Sequence, residues 1–295
     1  MRLSNIARIS ALFAASLCLG ACAPSPTAEQ SVAAAPPPPA MPSTADAHKL
    51  PPSLVKAYSG FLPGYLPREQ MLNSLLLVPA PPAAGSAREA VDREQAARSV
   101  ALHGTPRWQQ AIDDANLEFP HAANTFSCAL GVEIDEASAP TLYTLLRRTM
   151  SDGGFSTYAA KNKYRRARPF TVNNAPLCTP EQAQVLRNDG SYPSGHSALG
   201  WVWTLVLAEL SPAQADAIVA RGRAFGDSRS ICNVHWASDI AEGRVVGAAV
   251  VARLHAEPAF RDDMAKARIE LDALRAQGRK PSRDCAAEAA ALAIE

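Results

Sequence analysis

The chain reads as all-α, and three observations carry that reading. Apolar residues recur at helical spacing over long stretches, helix-start signals stand in front of several of them, and alternating strand-like patterns are scarce. The 295 residues, 47% hydrophobic and 19% charged with a formal net charge of +1, suffice for a full core in one folded domain. So balanced a charge makes no general field for a polyanion, and nucleic acid is not expected as a macromolecular partner. No internal repeat of fixed period is present.

The first residues are an address. Arg2 and Arg8 flank the apolar run Ile9 to Leu19, which ends in small residues and a cysteine, as a secretory signal does. Leu19-Gly20-Ala21-Cys22 resembles a lipoprotein cleavage box, which would make Cys22 the lipidated first residue; ordinary cleavage around Ala21-Cys22-Ala23 is the alternative. Residues 1–22 are therefore assigned to a signal peptide with lipobox. Residues 23–52 turn to Pro, Ala, Ser and Thr, including Pro36 to Pro39, and read as a semi-rigid spacer without a core. A proline-rich ligand for a recognition module is the lesser reading. The folded domain is residues 53–295. The protein is expected to be exported to the periplasm, anchored to the outer membrane through Cys22 or released if that cysteine is not lipidated.

Arg88 to Leu102, rich in Ala, Arg and Glu, looks like a surface helix. Thr105-Pro106 opens a second through Asp114. Ala139-Pro140 opens a third through Met150, with Leu142, Leu145, Leu146 and Met150 spaced for one buried face. Phe155 to Arg166 continues helical. The most hydrophobic segment, Ala198 to Leu210, is too short for a membrane span of about 30 Å once the preceding turn is removed, and reads as a buried central helix. Ser211-Pro212 with Gln214 has the form of a capped start. Ala237 to His255 carries Gly243 and Gly247, which suit close helix–helix contact, and Pro258 opens an amphipathic helix toward Gln277.

Chemistry concentrates in three places. Lys161 to Arg168 holds five cations, which alone would read as a solvated basic face. Pro193-Ser194-Gly195-His196 is a turn leading into the central helix. Such an N-terminus offers unpaired amides and a positive dipole end to an anion, and Gly195 puts no side chain in the way. By itself it would be a capped helix with a surface histidine. Ser228-Arg229, His235 and Asp239 form the third; His and Asp four apart share a face if that segment is helical, more often as a structural hydrogen bond than as a catalytic pair.

Taken together, Lys161-x6-Arg168-Pro169, Pro193-Ser194-Gly195-His196 and Ser228-Arg229-x5-His235-x3-Asp239 resemble the tripartite pattern of the type 2 phosphatidic-acid phosphatase and vanadium haloperoxidase superfamily. Gly190 to Pro212, Ile231 to Trp236, Phe61 to Pro82 and Asp152 to Phe170 are further similar to bacterial class A non-specific acid phosphatases. The resemblance covers roughly residues 60 to 275. It departs at Asn233, where that family is expected to have Gly, and mildly at Ser197, where Thr is common.

The resemblance implies a helical bundle of the vanadium haloperoxidase-like type and a metal-independent phosphomonoester hydrolase of broad specificity. His235 would be the nucleophile and form a phosphohistidine, Asp239 would hold the other ring nitrogen's proton, and His196 would be the general acid and then base. Lys161, Arg168 and Arg229 would grip the non-bridging oxygens, with Ser194 and the Gly195 amide completing the cradle. With an ordinary imidazole pKa of about 6.5 on His196, activity should decline above that pH. Ser228 reads as a loop or cap residue, and Lys163, Arg165 and Arg166 as solvent-facing or structural charge. His48, His103, His121 and His255 read as ordinary histidines, and Asp152, Asp189 and Asp227 as caps near turns.

No cofactor is called for, and no run of residues suggests a metal site. Small-molecule phosphomonoesters are the expected partners, with vanadate or phosphate as inhibitors; a homo-oligomer is left open. Four cysteines remain beyond the leader, Cys128, Cys178, Cys232 and Cys285, which suits an exported chain and allows three pairings. The resemblance favours Cys178–Cys232, with Cys128–Cys285 as its complement. Three other functions compete: a lipid phosphate or pyrophosphate phosphatase, a vanadate-dependent haloperoxidase, and an inactive envelope-binding lipoprotein.

Overall fold

A computed structural model describes residues 49, 50, 55 and 60–294 of the chain. The signal peptide, Cys22, His48 and nearly all of the spacer lie outside the described residues. Every regular element among the described residues is helical, as the sequence predicts. In chain order these are α1 (Ser74–Leu77), α2 (Ala87–Ala101), α3 (Pro106–Ala115), α4 (Ser127–Leu130), α5 (Pro140–Phe155), α6 (Tyr158–Tyr164), α7 (Pro169–Asn173) and α8 (Ala183–Arg187). They continue as α9 (Gly195–Leu210), α10 (Ala215–Ile231), α11 (Ala237–Leu254), α12 (Pro258–Ala276) and α13 (Cys285–Leu292).

The apolar segment beginning at Ala198 is the middle of the molecule. Helix α9 buries Val202, Trp203, Val206, Leu207 and Leu210 against α5, α10 and α11. Each such aliphatic side chain removed from water is worth about 1.5–3 kcal/mol. Trp203 is buried whole because its indole N–H finds the Leu146 carbonyl at 2.9 Å. At 16 residues α9 is too short for a bilayer, and no helix among the described residues is long and apolar enough to cross one.

Glycines set how closely α11 approaches α9. A Cβ on Gly243 would lie 2.6 Å from the Ser194 carbonyl, and one on Gly247 2.5 Å from that of Ala198. The expected close contact is therefore present, and it falls where α9 begins.

Several local expectations are corrected. Phe155 to Arg166 is not one helix: α5 ends at Phe155 and α6 starts at Tyr158. The hydroxyls of Ser156 and Thr157 donate to the carbonyls of Asp152 and Gly154, both at 2.7 Å, which offers the backbone an alternative to continued helix. Ser211 does not cap a helix. Its hydroxyl donates to Gln214 at 2.5 Å, and Pro212–Gln214 is a 3-10 turn leading into α10. Helix α2 is not simply a surface helix either, because Asp92, Ala96 and Ser99 form a buried stripe. Asp152 is not a turn residue; it lies inside α5 and accepts the main-chain N–H groups of Tyr65 and Leu66, at 2.9 and 3.0 Å. Asp227 lies within α10 and pairs with Arg244 at 2.7 Å.

The disulfide that the resemblance favours, Cys178–Cys232, and its complement, Cys128–Cys285, are both present. Cys128–Cys285 ties α4 to the start of α13, and Cys178–Cys232 ties the segment after α7 to the end of α10.

Candidate active site

The start of α9 is built by its cap. The Ser194 hydroxyl accepts the Ser197 N–H at 3.1 Å, which leaves the turn amides of this helix end oriented outward. The Ser194 N–H donates to the Asp239 carbonyl at 2.9 Å, so the beginnings of α9 and α11 are stitched together. His196, on the first turn, stacks its ring on Phe225 with centroids 5.7 Å apart. The main chain at Asp114 and Ala115 hydrogen-bonds the ring, while Nε2 is buried without a hydrogen-bond partner.

His235 is placed by the way α10 stops. The Val234 N–H returns to the Arg229 carbonyl (3.2 Å) and the Asn233 N–H to that of Ser230 (2.8 Å), the two bonds of a Schellman cap. Such a cap needs a left-handed residue after the helix, and Asn233 has φ +59°. Asn is among the few residues other than Gly that adopt it readily, which accounts for its place where Gly is expected. Its side-chain amide is tied down as well, donating to the carbonyls of Ala175 (3.0 Å) and Pro176 (3.2 Å). The His235 N–H also donates to the Arg229 carbonyl, at 3.2 Å.

His235 and Asp239 are thus not on one helical face. His235 lies in the turn before α11, whose cap is Trp236, and Asp239 is the third residue of the helix. Asp239 Oδ2 accepts the Trp236 N–H at 2.8 Å and lies 3.4 Å from His235 Nδ1. Ser228 is likewise neither loop nor cap. It sits inside α10, wholly buried, and donates to Asp114 at 2.6 Å while accepting from Arg107 at 3.0 Å.

The cationic run supplies the third wall. Lys161 Nζ donates to the Gly190 carbonyl (2.5 Å) and lies 3.4 Å from Asp189 Oδ2. Arg168 donates through Nη2 to Asp189 (2.9 Å) and through Nη1 to both the Val234 carbonyl (3.0 Å) and His235 Nε2 (3.1 Å). A guanidinium can only donate. Nε2 of His235 therefore carries its lone pair here, and the ring proton is on Nδ1, facing Asp239.

One cavity of about 910 Å³ is lined by His235, His196, Lys161, Arg168, Arg229 and Gly195. Asp239 and Ser194 stand behind that lining. Ser194 was expected to touch the ligand; its hydroxyl is instead spent on the helix cap. Two charged residues that sequence reasoning set aside, Asp189 and Arg166, and one it did not single out, Asp92, bear on the site. Asp189 is the counter-ion of both Lys161 and Arg168, and Arg166 joins Asp92 to Asp239. The buried stripe of α2 could have pointed to Asp92, since an aspartate among Ala96 and Ser99 on a core-facing side needs a buried cation. His103, His121 and His255 do not line the cavity.

Burial, reinforced by Arg168, Lys161 and Arg229, holds His235 well below the usual imidazole range. Burial and the charges of Arg229 and Arg168 do the same to His196. Both shifts favour the neutral imidazole, so the ordinary value expected for His196 does not apply. Burial pulls the Lys161 ammonium down to about 8 against the opposing pull of Asp189. Burial also pushes the Asp239 carboxyl up, with Arg166 and the Trp236 N–H working against it. The arrangement is a cationic nest with one imidazole unprotonated at Nε2 and a second able to exchange a proton. Among the described residues no group of three or more His, Cys, Asp or Glu is placed to hold a metal ion.

Comparison with known proteins finds relatives that are phosphatases. Residues 142–261 match the PAP2 superfamily. The chain is 40% identical over 205 residues to the non-specific acid phosphatase of Salmonella typhimurium, an alignment covering 69% of this chain and 82% of that protein. It is 40% identical to the non-specific acid phosphatase of Providencia stuartii, over 72% of this chain and 86% of that one. With the acid phosphatase of Zymomonas mobilis it shares 38% identity over 70% and 78% of the two chains.

Proposed function

This chain belongs to the PAP2 superfamily and, within it, to the non-specific acid phosphatases, and we propose that it hydrolyses a broad range of phosphomonoesters through a phosphohistidine on His235. The observation that carries the mechanism is the tautomer: Arg168 Nη1, which can only donate, lies 3.1 Å from His235 Nε2, so that nitrogen bears the lone pair, and His235 lines the cavity.

Neutral His235 Nε2 attacks phosphorus, the P–N bond forms and the bond to the leaving oxygen breaks. Charge developing on the equatorial oxygens is met by Lys161, Arg168 and Arg229, with the Gly195 amide at the mouth of α9. Asp239 accepts a hydrogen bond from Nδ1–H, which stays on the ring, and stabilises the positive charge that the ring acquires. His196 gives its proton to the departing alkoxide and takes one from the water that cleaves the P–N bond, so the products are an alcohol and inorganic phosphate. His196 is neutral when the site is empty, and the incoming phosphate supplies the negative charge that lets it hold a proton. Broad specificity follows from gripping the phosphoryl group alone.

The test is phosphate release from p-nitrophenyl phosphate in the presence of EDTA. Activity should be retained and should be inhibited by vanadate, a mimic of five-coordinate phosphorus. His235→Ala should lower kcat by about 10⁴-fold or more, and His196→Ala by about 10²–10⁴-fold. Abolition by EDTA, or an active His235→Ala protein, would overturn the reading. The leader favours a periplasmic site of action with Cys22 as a lipid anchor.

A further inference from the structure

Behind His235 lies a charge relay that the three motifs do not include. Asp92, on the buried stripe of α2, accepts the Ser238 N–H at 2.8 Å through Oδ1. Its Oδ2 accepts the Ser238 hydroxyl at 2.6 Å and Arg166 Nη2 at 2.7 Å. The other arm of that guanidinium, Nη1, donates to Asp239 Oδ1 at 2.6 Å and to the Ser238 hydroxyl at 2.8 Å. Arg166 also lies over the Trp236 ring, 5.4 Å from its centroid. Its side chain is 13% exposed, and the two carboxylates it bridges are 1% and 0% exposed.

We propose that Arg166, aimed by Asp92, is a positioning residue for phosphoryl transfer: it holds Asp239 ionised, with Oδ2 turned to His235 Nδ1, and thereby sets the tautomer that can attack. The proposal rests on His235 being the nucleophile.

The physical case has two parts. A wholly buried carboxylate tends to take up a proton, and a protonated Asp239 could donate to Nδ1 instead of accepting from it. The ring proton would then move to Nε2 and remove the attacking lone pair. The groups that face Asp239 are Arg166 from the segment between α6 and α7, Lys161 from α6, Ser191 and the phenol of Tyr192 before α9, and His235 with the Trp236 N–H from the turn before α11. Lys161 pairs with Asp189 and Ser191 is uncharged, so Arg166 is the cation that bonds Asp239 directly. The second part is charge balance. Two carboxylates against one guanidinium leave a net charge of −1 in the relay, which faces the positive charge that His235 acquires as phosphohistidine. Arginine suits this place because its planar fork reaches both acids at once, whereas an ammonium is a single point.

The experiment compares the full chain with Arg166→Gln, Arg166→Lys, Asp92→Asn and His235→Ala, measuring p-nitrophenyl phosphate hydrolysis against pH. Arg166→Gln should lower kcat by about 10²-fold with KM little changed. It should also move the acid limb of kcat/KM to higher pH, because Asp239 then ionises less readily. Arg166→Lys should restore part of kcat. Should Arg166→Gln fail to fold, Asp92→Asn decides: Asn keeps an acceptor for the Ser238 N–H but loses the charge that aims the guanidinium, and kcat should fall with KM unchanged.

A merely structural pin would lower the melting temperature and leave the pH limb in place. Wild-type kcat and limb in Arg166→Gln, or a rise in KM with kcat kept, would overturn the proposal. If His235→Ala also keeps activity, the phosphohistidine reading itself has failed; if His235→Ala is dead while Arg166→Gln is unaltered, only the positioning role has.

Discussion

An imidazole attacks phosphorus only through an unprotonated nitrogen, and it donates a proton only if it holds one. The two histidines of this site therefore need opposite charge states from similar surroundings. Their surroundings make both neutral, since burial and the nearby guanidinium groups of Arg168 and Arg229 each disfavour another positive charge. A bound dianion reverses that balance, and His196, whose Nε2 has no partner in the empty site, is the ring free to respond. As the general acid, His196 must have a higher pKa in the complex than in the free protein, and binding should then take up a proton at pH values between the two. Titration calorimetry with sulfate, which keeps its charge across the range, in buffers of different ionisation enthalpy should report that uptake. Binding without proton uptake would remove His196 from the acid role. On the alkaline side Lys161, with a pKa of about 8, loses its charge as pH rises through that value. The sign is fixed: a gripping cation disappears, so kcat/KM should fall above about pH 8.

At the scale of elements, the site depends on two helix starts and one helix end. The first turns of α9 and α11 meet through the Ser194 N–H and the Asp239 carbonyl, and Gly243 permits that approach. Gly243→Ala would place a methyl carbon 2.6 Å from the Ser194 carbonyl. Parting the helices to relieve it should cost about 1–3 kcal/mol, read as a lower melting temperature, and about tenfold or more in kcat through misplacement of His196 against His235. Unchanged kcat would show that the contact is packing alone. The long helices and this glycine contact were legible because their signals are local: periodicity, Pro after Thr105 and Ala139, small residues four apart. The breaks were less so. Ser156 and Thr157 can sit in helices, and only their hydrogen bonds back to α5 end it. Helix α13, with Asp284 capping it, follows a stretch whose pattern gave no warning of another helix.

At the scale of the whole molecule, function comes from bringing together residues from three separated stretches of chain. Lys161, His196 and His235 were recognisable as chemistry-bearing types in a fixed order, yet nothing local says what each would touch. Asp189 looked like a turn cap because its partners, Lys161 and Arg168, lie more than twenty residues away. Arg166 looked like a solvated charge for the same reason, its two acids being on α2 and α11. Asn233 looked like a departure, and the structure gives it the backbone conformation that position requires. The two disulfides fasten the arrangement from outside, Cys178–Cys232 beside the loop that bears His235 and Cys128–Cys285 across a separation of 157 residues. Closing so long a loop in the unfolded chain removes entropy worth about 5 kcal/mol.

The central claim is that this fold delivers one neutral imidazole nitrogen to phosphorus. Rapid mixing with a 32P-labelled aryl phosphate, followed by denaturation at alkaline pH where a phosphoramidate survives, measures it directly. Label should remain on the wild-type chain, be lost on acidification, and be absent from His235→Ala. A base-stable, acid-labile label on the His235→Ala chain would contradict the account.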